Sequence, residues 1–216
     1  MAEVSFYNGL KTLELRARYV AWFAWTTMAL CAAMALFEFA HVAGLIALND
    51  YSAGNAAFVY GILALTYLLV FLASIVFVGM WIHRAHANLF AAGIDGLQFT
   101  PGWSVGWFFV PVANLFKPFK AMRELWNASH NLKDNFGEES PESLKIWWGT
   151  YLAGNILGSI ATRLQLSAGP DAASVVSMVN GISNVLTVVC AWYLLQIVRE
   201  VVTAQQSSLT AVEAFA

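Results

Sequence analysis

The sequence predicts an all-α fold: an integral membrane helical bundle of four transmembrane helices, with interfacial or re-entrant helices on the cytoplasmic side. Two observations carry this. Charged residues are 11% of the 216-residue chain and apolar residues 59%, with a mean hydropathy of +0.63. Soluble domains carry about 25% charged residues, and lipid rather than a soluble core absorbs that much apolar surface. The second observation is that the apolar residues gather into four runs, each near or above the roughly 20 residues a bilayer requires.

Residues 1–18 are polar with a helical stripe, in which Phe6, Leu10, Leu13 and Ala17 recur at three and four residues and Lys11, Arg16 and Arg18 fall between them. That pattern predicts a short amphipathic helix lying along the membrane surface. The polar start and the long apolar run behind it do not fit a cleavable signal peptide, and none is expected.

The membrane domain, 19–200, holds the four spans. The first, 20–48, exceeds the bilayer thickness and predicts tilt. Asn49 to Asn55 supplies turn chemistry, and the second span, 56–82, carries no formal charge until Arg84. So short a connection makes these two antiparallel neighbours. The third span, 146–166, and the fourth, 172–198, are joined by Ser167-Ala168-Gly169-Pro170-Asp171, and 201–216 is a weakly polar tail. Cys31 and Cys190 both sit in apolar runs, where they read as small packing residues rather than a disulfide. No strand and no fixed-period repeat is expected.

Charge sets the orientation. With both termini on one side, that side holds Lys11, Arg16, Arg18, Arg84, Lys117, Lys120, Arg123, Lys133, Lys145 and Arg199, leaving Arg163 alone on the other. Basic loops stay inside, so both termini are expected in the cytoplasm. The tryptophans agree: Trp22, Trp25, Trp81, Trp147, Trp148 and Trp192 fall at the inner ends of spans, the level where amphipathic rings settle.

The central region, 83–145, belongs to neither pair of spans. Together with the end of the second span it contains Ala87-Asn88-Leu89, Phe99-Thr100-Pro101-Gly102-Trp103, Gly106-Trp107, Val110-Pro111, Asn114-Leu115, Pro118, Met122 and Glu124-Leu125-Trp126. On these positions residues 81–129 resemble the bacterial membrane-protein family catalogued as domain of unknown function 4328. The resemblance implies a multi-span bacterial membrane protein, which with the charge reading gives the expectation of a bacterial inner membrane, and it lends no activity.

This region reads as two pieces. In Gly102-Trp103-Ser104-Val105-Gly106-Trp107 the glycines are four apart and so are the tryptophans, which on one helix makes a flat stripe for close backbone approach beside an aromatic ridge. Val105 to Phe116 is too short to span and is interrupted by Pro111, so an interfacial segment, a shallow re-entrant dip and a true span remain as readings, in descending order of fit. From Pro118 onward, Phe119, Met122, Leu125, Trp126, Ser129 and Leu132 share one helical face, with Lys120, Arg123, Glu124, Asn127 and Asn131 on the other. This predicts a helix resting on the membrane, or a docking surface for a partner. The expected interfacial platform is Trp103, Trp107, Pro111, Asn114, Lys117, Lys120, Arg123 and Trp126.

Candidate polar sites are few. Glu38 lies inside the first span, His41 follows on the same face, and Arg163 is the lone basic residue of the outer side. An intramembrane ionisable group is a functional candidate by default. The three are read as a buried Glu38–Arg163 pair, as an outward-facing polar vestibule, or as part of a metal or haem site, of which Glu-x-x-His is only half a paired motif. His83 and His86, three apart, are weak metal candidates, since a tetrahedral site needs further ligands and His130 alone is on offer. Gly154-x-x-x-Gly158 and Ser177-x-x-x-Gly181 predict close helix packing, and Asn155, Asn180 and Asn184 predict hydrogen bonds between helices.

No phosphate-binding glycine loop, nucleophile elbow, His-Glu-x-x-His or Cys-x-x-Cys is present. The chain therefore reads as a non-enzymatic structural, accessory or interaction protein with a Trp-rich cytoplasmic-side platform; the alternative is a small transporter or channel component with its vestibule at Glu38, His41 and Arg163. Membrane lipids, and a larger membrane complex or a further copy of the chain, are the expected partners. No cofactor is expected, and a net charge of −2 does not suit nucleic acid.

Overall fold

The computed structural model describes residues 2–48, 55–130, 140–167 and 172–213. Every regular element among them is helical. These are α1 (Ala2–Val42), α2 (Ala56–Ala91), α3 (Pro101–Gly106), 3-10 turns at Trp107–Phe109 and Ala113–Leu115, α4 (Lys117–Ser129), α5 (Glu142–Ser167) and α6 (Ala173–Glu213). The expected turn over 49–54, the acidic run with Asn131 to Lys133, and the loop 168–171 lie outside the described residues.

Three helices, α1, α2 and α6, are long and apolar enough to cross a membrane. The third expected span is helical but falls short of that composition, because Trp147, Trp148, Gly149, Thr150, Gly154 and Asn155 dilute its apolar residues.

Several boundaries differ from the sequence reading. The N-terminal stretch is no separate surface helix but the opening turns of α1, and its stripe residues Leu10 and Leu13 are buried. Between Gly9 and Gly44 no glycine or proline offers a break, so the helix runs on. It stops at Val42 rather than at 48. Gly44 takes the left-handed conformation at φ +72°, with Leu45 N–H donating to Ala40 C=O and Gly44 N–H to His41 C=O. That is a Schellman end, which glycine adopts without a Cβ clash. Gly93 ends α2 in the same way, nine residues past the expected limit of 82, so His83 to Leu89 are helical.

The chain forms two compact units. One comprises Met1–Trp22, Ser74–Lys145 and Tyr193–Ala216; the other comprises Phe23–Ala73 and Ile146–Trp192. In the second unit the two predicted small-residue stripes do pack closely. Gly154 and Gly158 face Ser183 on α6, whose hydroxyl donates to the Gly154 carbonyl at 3.0 Å, and Gly181 lies against the Phe39 ring. Asn155, expected to bridge helices, instead donates to Tyr151 C=O within α5. Cys31 is buried here as a packing residue, and both cysteines are free.

Candidate functional site

The motif residues converge in the first unit, where they hold one another. Arg84 Nε donates to Asn88 Oδ1 at 2.8 Å, and Asn88 Nδ2 donates to Gln205 Oε1 at 3.1 Å. Gln205 Nε2 then donates to the Ala85 carbonyl and to Ser129 Oγ, at 3.1 and 3.0 Å. One fully buried amide thus joins α2, α4 and α6. Buried amides persist only when so satisfied.

Glu124 performs the second closure. Its carboxylate accepts the backbone N–H groups of Gln98 and Phe99, at 2.6 and 3.0 Å, and fixes the chain just before α3. Burial pushes its carboxyl above the ordinary carboxylate value, while the two amides pull the other way. Thr100 caps α3 from its side-chain oxygen and Pro101 opens it. Trp126 Nε1 donates to Glu200 Oε2 at 2.8 Å, and His130 stacks on the Trp126 ring.

These contacts correct the reading of α4 as a helix resting on the membrane. Pro118, Ala121, Met122, Leu125 and Ala128 are buried, and so are Glu124 and Asn127 from the face expected to be polar. The glycine stripe is corrected too. Among the described residues nothing stands within 4 Å of a Cβ at Gly102, Gly106 meets its own helix's Trp103, and the close approach is made instead by Gly79 on α2, against Val105. The aromatic ridge does form, with the Trp103 and Trp107 rings 4.9 Å apart.

What stays open lies between α3 and α4. The backbone from Trp107 to Phe116 is two 3-10 turns around a γ-turn, in which Ala113 N–H donates to Pro111 C=O at 2.7 Å and Val112 takes φ 65°, ψ −51°. A true span is therefore excluded, since broken backbone does not cross lipid unpaired. A positive φ is strained for a β-branched residue. It sets Val112 out at 71% exposure beside Phe109 at 68% and Trp103 at 54%, with Leu115 and Phe116 also exposed. Of the expected platform, Pro111 and Lys120 are likewise exposed, while Trp107, Asn114, Lys117, Arg123 and Trp126 are half-buried. The Lys117 ammonium stands over the Trp107 and Phe99 rings, and Arg123 over Phe119.

The other candidates are not brought together. Glu38 is buried and accepts a hydrogen bond from the Tyr60 hydroxyl; Arg163 is exposed, and the two form no ion pair. His41 folds onto the turn after α1, with Nδ1 3.0 Å from the Ile46 carbonyl. His83 is exposed whereas His86 is fully buried against its own helix, and among the described residues no three His, Cys, Asp or Glu side chains gather. Of the tryptophans expected at the headgroups, Trp22, Trp25 and Trp192 are exposed, but Trp81, Trp147 and Trp148 are buried in protein.

Sequence reasoning missed Gln205, Tyr60 and Glu200. For Gln205 a signal existed: Ile197, Val198, Val201 and Ala204, all buried, continue the apolar stripe of α6 past its expected end, and Gln205 lies on it.

No curated protein and no solved structure matches the chain. The family described as Domain of unknown function (DUF4328) has a model that matches residues 44–203, from just past α1 into the last third of α6. That is well over half of the chain, and it takes in every motif position named above, so the protein belongs to the DUF4328 family.

Proposed function

We propose that the protein is a multi-pass accessory protein of a bacterial inner membrane, with four spans and both termini in the cytoplasm, whose first unit lays an aromatic and basic platform on the inner leaflet. The observation that carries this is the exposed tip from Phe109 to Phe116. It sits in a stretch, Gly96 to Arg123, that holds Lys117, Lys120 and Arg123 and no acidic residue. Apolar tips flanked by cations insert at anionic headgroups, at about 1 kcal/mol per basic residue.

Two further features support the reading. On α2 the side chains of Phe58, Ile62, Leu65, Leu69 and Leu72 are all exposed, which water would not tolerate in one stripe. α5 suits the third span: 26 residues exceed the bilayer thickness at 1.5 Å each. Its Thr150, Asn155, Ser159 and Thr162 side chains each donate to a carbonyl of their own helix, which lowers the cost of facing lipid. The motif's polar groups hold helices together, so the role is structural and no enzymatic step enters it. Nothing in the geometry favours the transporter reading, because Glu38, His41 and Arg163 do not converge.

The test is depth. Val112→Cys, in a chain whose Cys31 and Cys190 are replaced by serine, carries a fluorophore into vesicles containing lipids spin-labelled at the headgroup or at the chain end. Headgroup labels should quench it most. Complete quenching by aqueous iodide, with none by lipid, overturns the platform.

A further inference from the structure

Glu38 of α1 is enclosed in the second unit at 2% exposure, and its Oε1 accepts a hydrogen bond from the Tyr60 hydroxyl of α2. Tyr60 is itself placed by the ring of Phe37, whose centroid is 6.2 Å from its own. Both helices are long and apolar enough to cross a membrane, and Glu38 sits about one turn before α1 ends at Val42.

An ionised carboxylate in that place would need a cation, and the unit's own residues offer almost none. Across Phe23–Ala73 and Ile146–Trp192, Arg163 is the sole lysine or arginine and His41 the sole histidine. Both are among the described residues. Arg163 is exposed, His41 is turned onto the Ile46 carbonyl, and neither forms an ion pair with Glu38. The unit's other titratable groups are Cys31, Tyr60 and Tyr67, then Tyr151 and Cys190, with Asp50, Tyr51 and Asp171. All of these are neutral or negative in every state, so none can balance a second negative charge. Helical N–H groups do not help either, since each is spent on a carbonyl one turn back.

A bare charge held out of water costs more than the proton that would neutralise it, and buried ionisable groups without a partner take the neutral form. We propose that Glu38 is a proton-binding site inside the second unit, standing as a carboxylic acid whose carbonyl oxygen accepts from the Tyr60 hydroxyl. The proton is its ligand, and Tyr60 is the positioning residue. Giving the proton up would leave an unbalanced charge between α1 and α2, so the contact of these helices is coupled to proton binding. The site rests on the reading that the second unit lies in lipid, and it does not rest on the platform.

The experiment is infrared spectroscopy of the full-length protein in phosphatidylcholine vesicles at neutral pH, wild type against Glu38→Gln. The wild type should show the carbonyl band of a protonated acid, and the variant should lack it. Loss of carboxylate bands instead overturns the proposal. In Tyr60→Phe the acid band should persist and move to higher frequency, because a carbonyl relieved of its hydrogen bond is stiffer. An unmoved band removes Tyr60 as its partner, which a mere packing role would give.

Should the variants not fold, labelling of the wild type decides. Dicyclohexylcarbodiimide is apolar and reacts with protonated carboxyls. The acid proton goes to a carbodiimide nitrogen and its oxygen to the central carbon; the acyl group then migrates to nitrogen, so the whole reagent is retained. Peptide mass spectrometry should find it on Glu38, and a charged, water-soluble carbodiimide should leave Glu38 untouched. Modification of Glu38 by the charged reagent, or by neither, overturns the site. A Val112 label that stands off the membrane ends the platform and leaves the proton site. Carboxylate bands at Glu38 in a chain whose spans are otherwise in place end the proton site alone.

Discussion

Asn88 and Gln205 lie 117 residues apart in the chain, and the Asn88 side chain donates to the Gln205 oxygen at 3.1 Å in the interior of the first unit. The bond ties a motif residue of α2 to a part of α6 just beyond the end of the family match. Around it the Arg84, Ser129 and Ala85 bonds form one connected chain of donors and acceptors. Satisfied networks of this kind fix a unique helix register, and partly broken ones are costly.

Gln205→Leu should therefore destabilise the protein by about 2–4 kcal/mol, since it removes three buried hydrogen bonds and leaves the Asn88 amide without its Gln205 acceptor in the interior. Melting temperature in detergent checks this. Combined with Asn88→Leu, the loss should be less than the sum of the single losses, because the two side chains share one bond.

Glu124 sets a pH dependence. Its carboxyl is raised above the ordinary value of 4.5 in the folded protein. The folded state then holds the proton to higher pH than the unfolded chain does, so this contribution is full below the unfolded value and is lost as pH rises through the folded one. Wild-type stability should fall across that window and Glu124→Gln should be flat there. Identical slopes would remove Glu124 as the cause.

Gly9 is a packing position. A Cβ there would stand 2.1 Å from Arg84 Nη2 and 2.5 Å from Asn88 Oδ1, and Asn88 is not free to move. Gly9→Ala should cost about 1–3 kcal/mol. Gly149→Ala, on α5 with no described residue within 4 Å, should instead gain up to about 1 kcal/mol from helix propensity. Thermal unfolding of the two variants should move in opposite directions.

Tyr60→Phe removes the hydrogen bond to buried Glu38 and should cost about 1–3 kcal/mol. Arg163→Gln, at an exposed position, should change stability by less than about 0.5 kcal/mol. Comparable losses from both would restore the Glu38–Arg163 pair.

The helical class, three helices long and apolar enough to cross a membrane, and the motif region were legible in the sequence because hydropathy and residue identity report them directly. Partners were not. The apolar stripe of α4 is the same whether lipid or protein covers it, and periodicity cannot separate the two; only the burial of Glu124 and Asn127 reveals protein on both sides. The Gly102–Gly106 spacing misled for a different reason. Both glycines do fall within the six residues of α3, but spacing alone does not report which helix packs where, and the close approach falls to Gly79 of α2 instead. Tyr60 reads as one more span residue until the fold sets it against Glu38.

The central claim is that four helices cross the membrane and leave the platform in the cytoplasm. Single cysteines at Leu48, Lys120 and Ser167, again without Cys31 and Cys190, test it with a membrane-impermeant thiol reagent on intact spheroplasts. Leu48→Cys and Ser167→Cys should label from outside and Lys120→Cys only after lysis. Labelling of Leu48→Cys and Ser167→Cys on opposite faces, or of Lys120→Cys from outside, would contradict it.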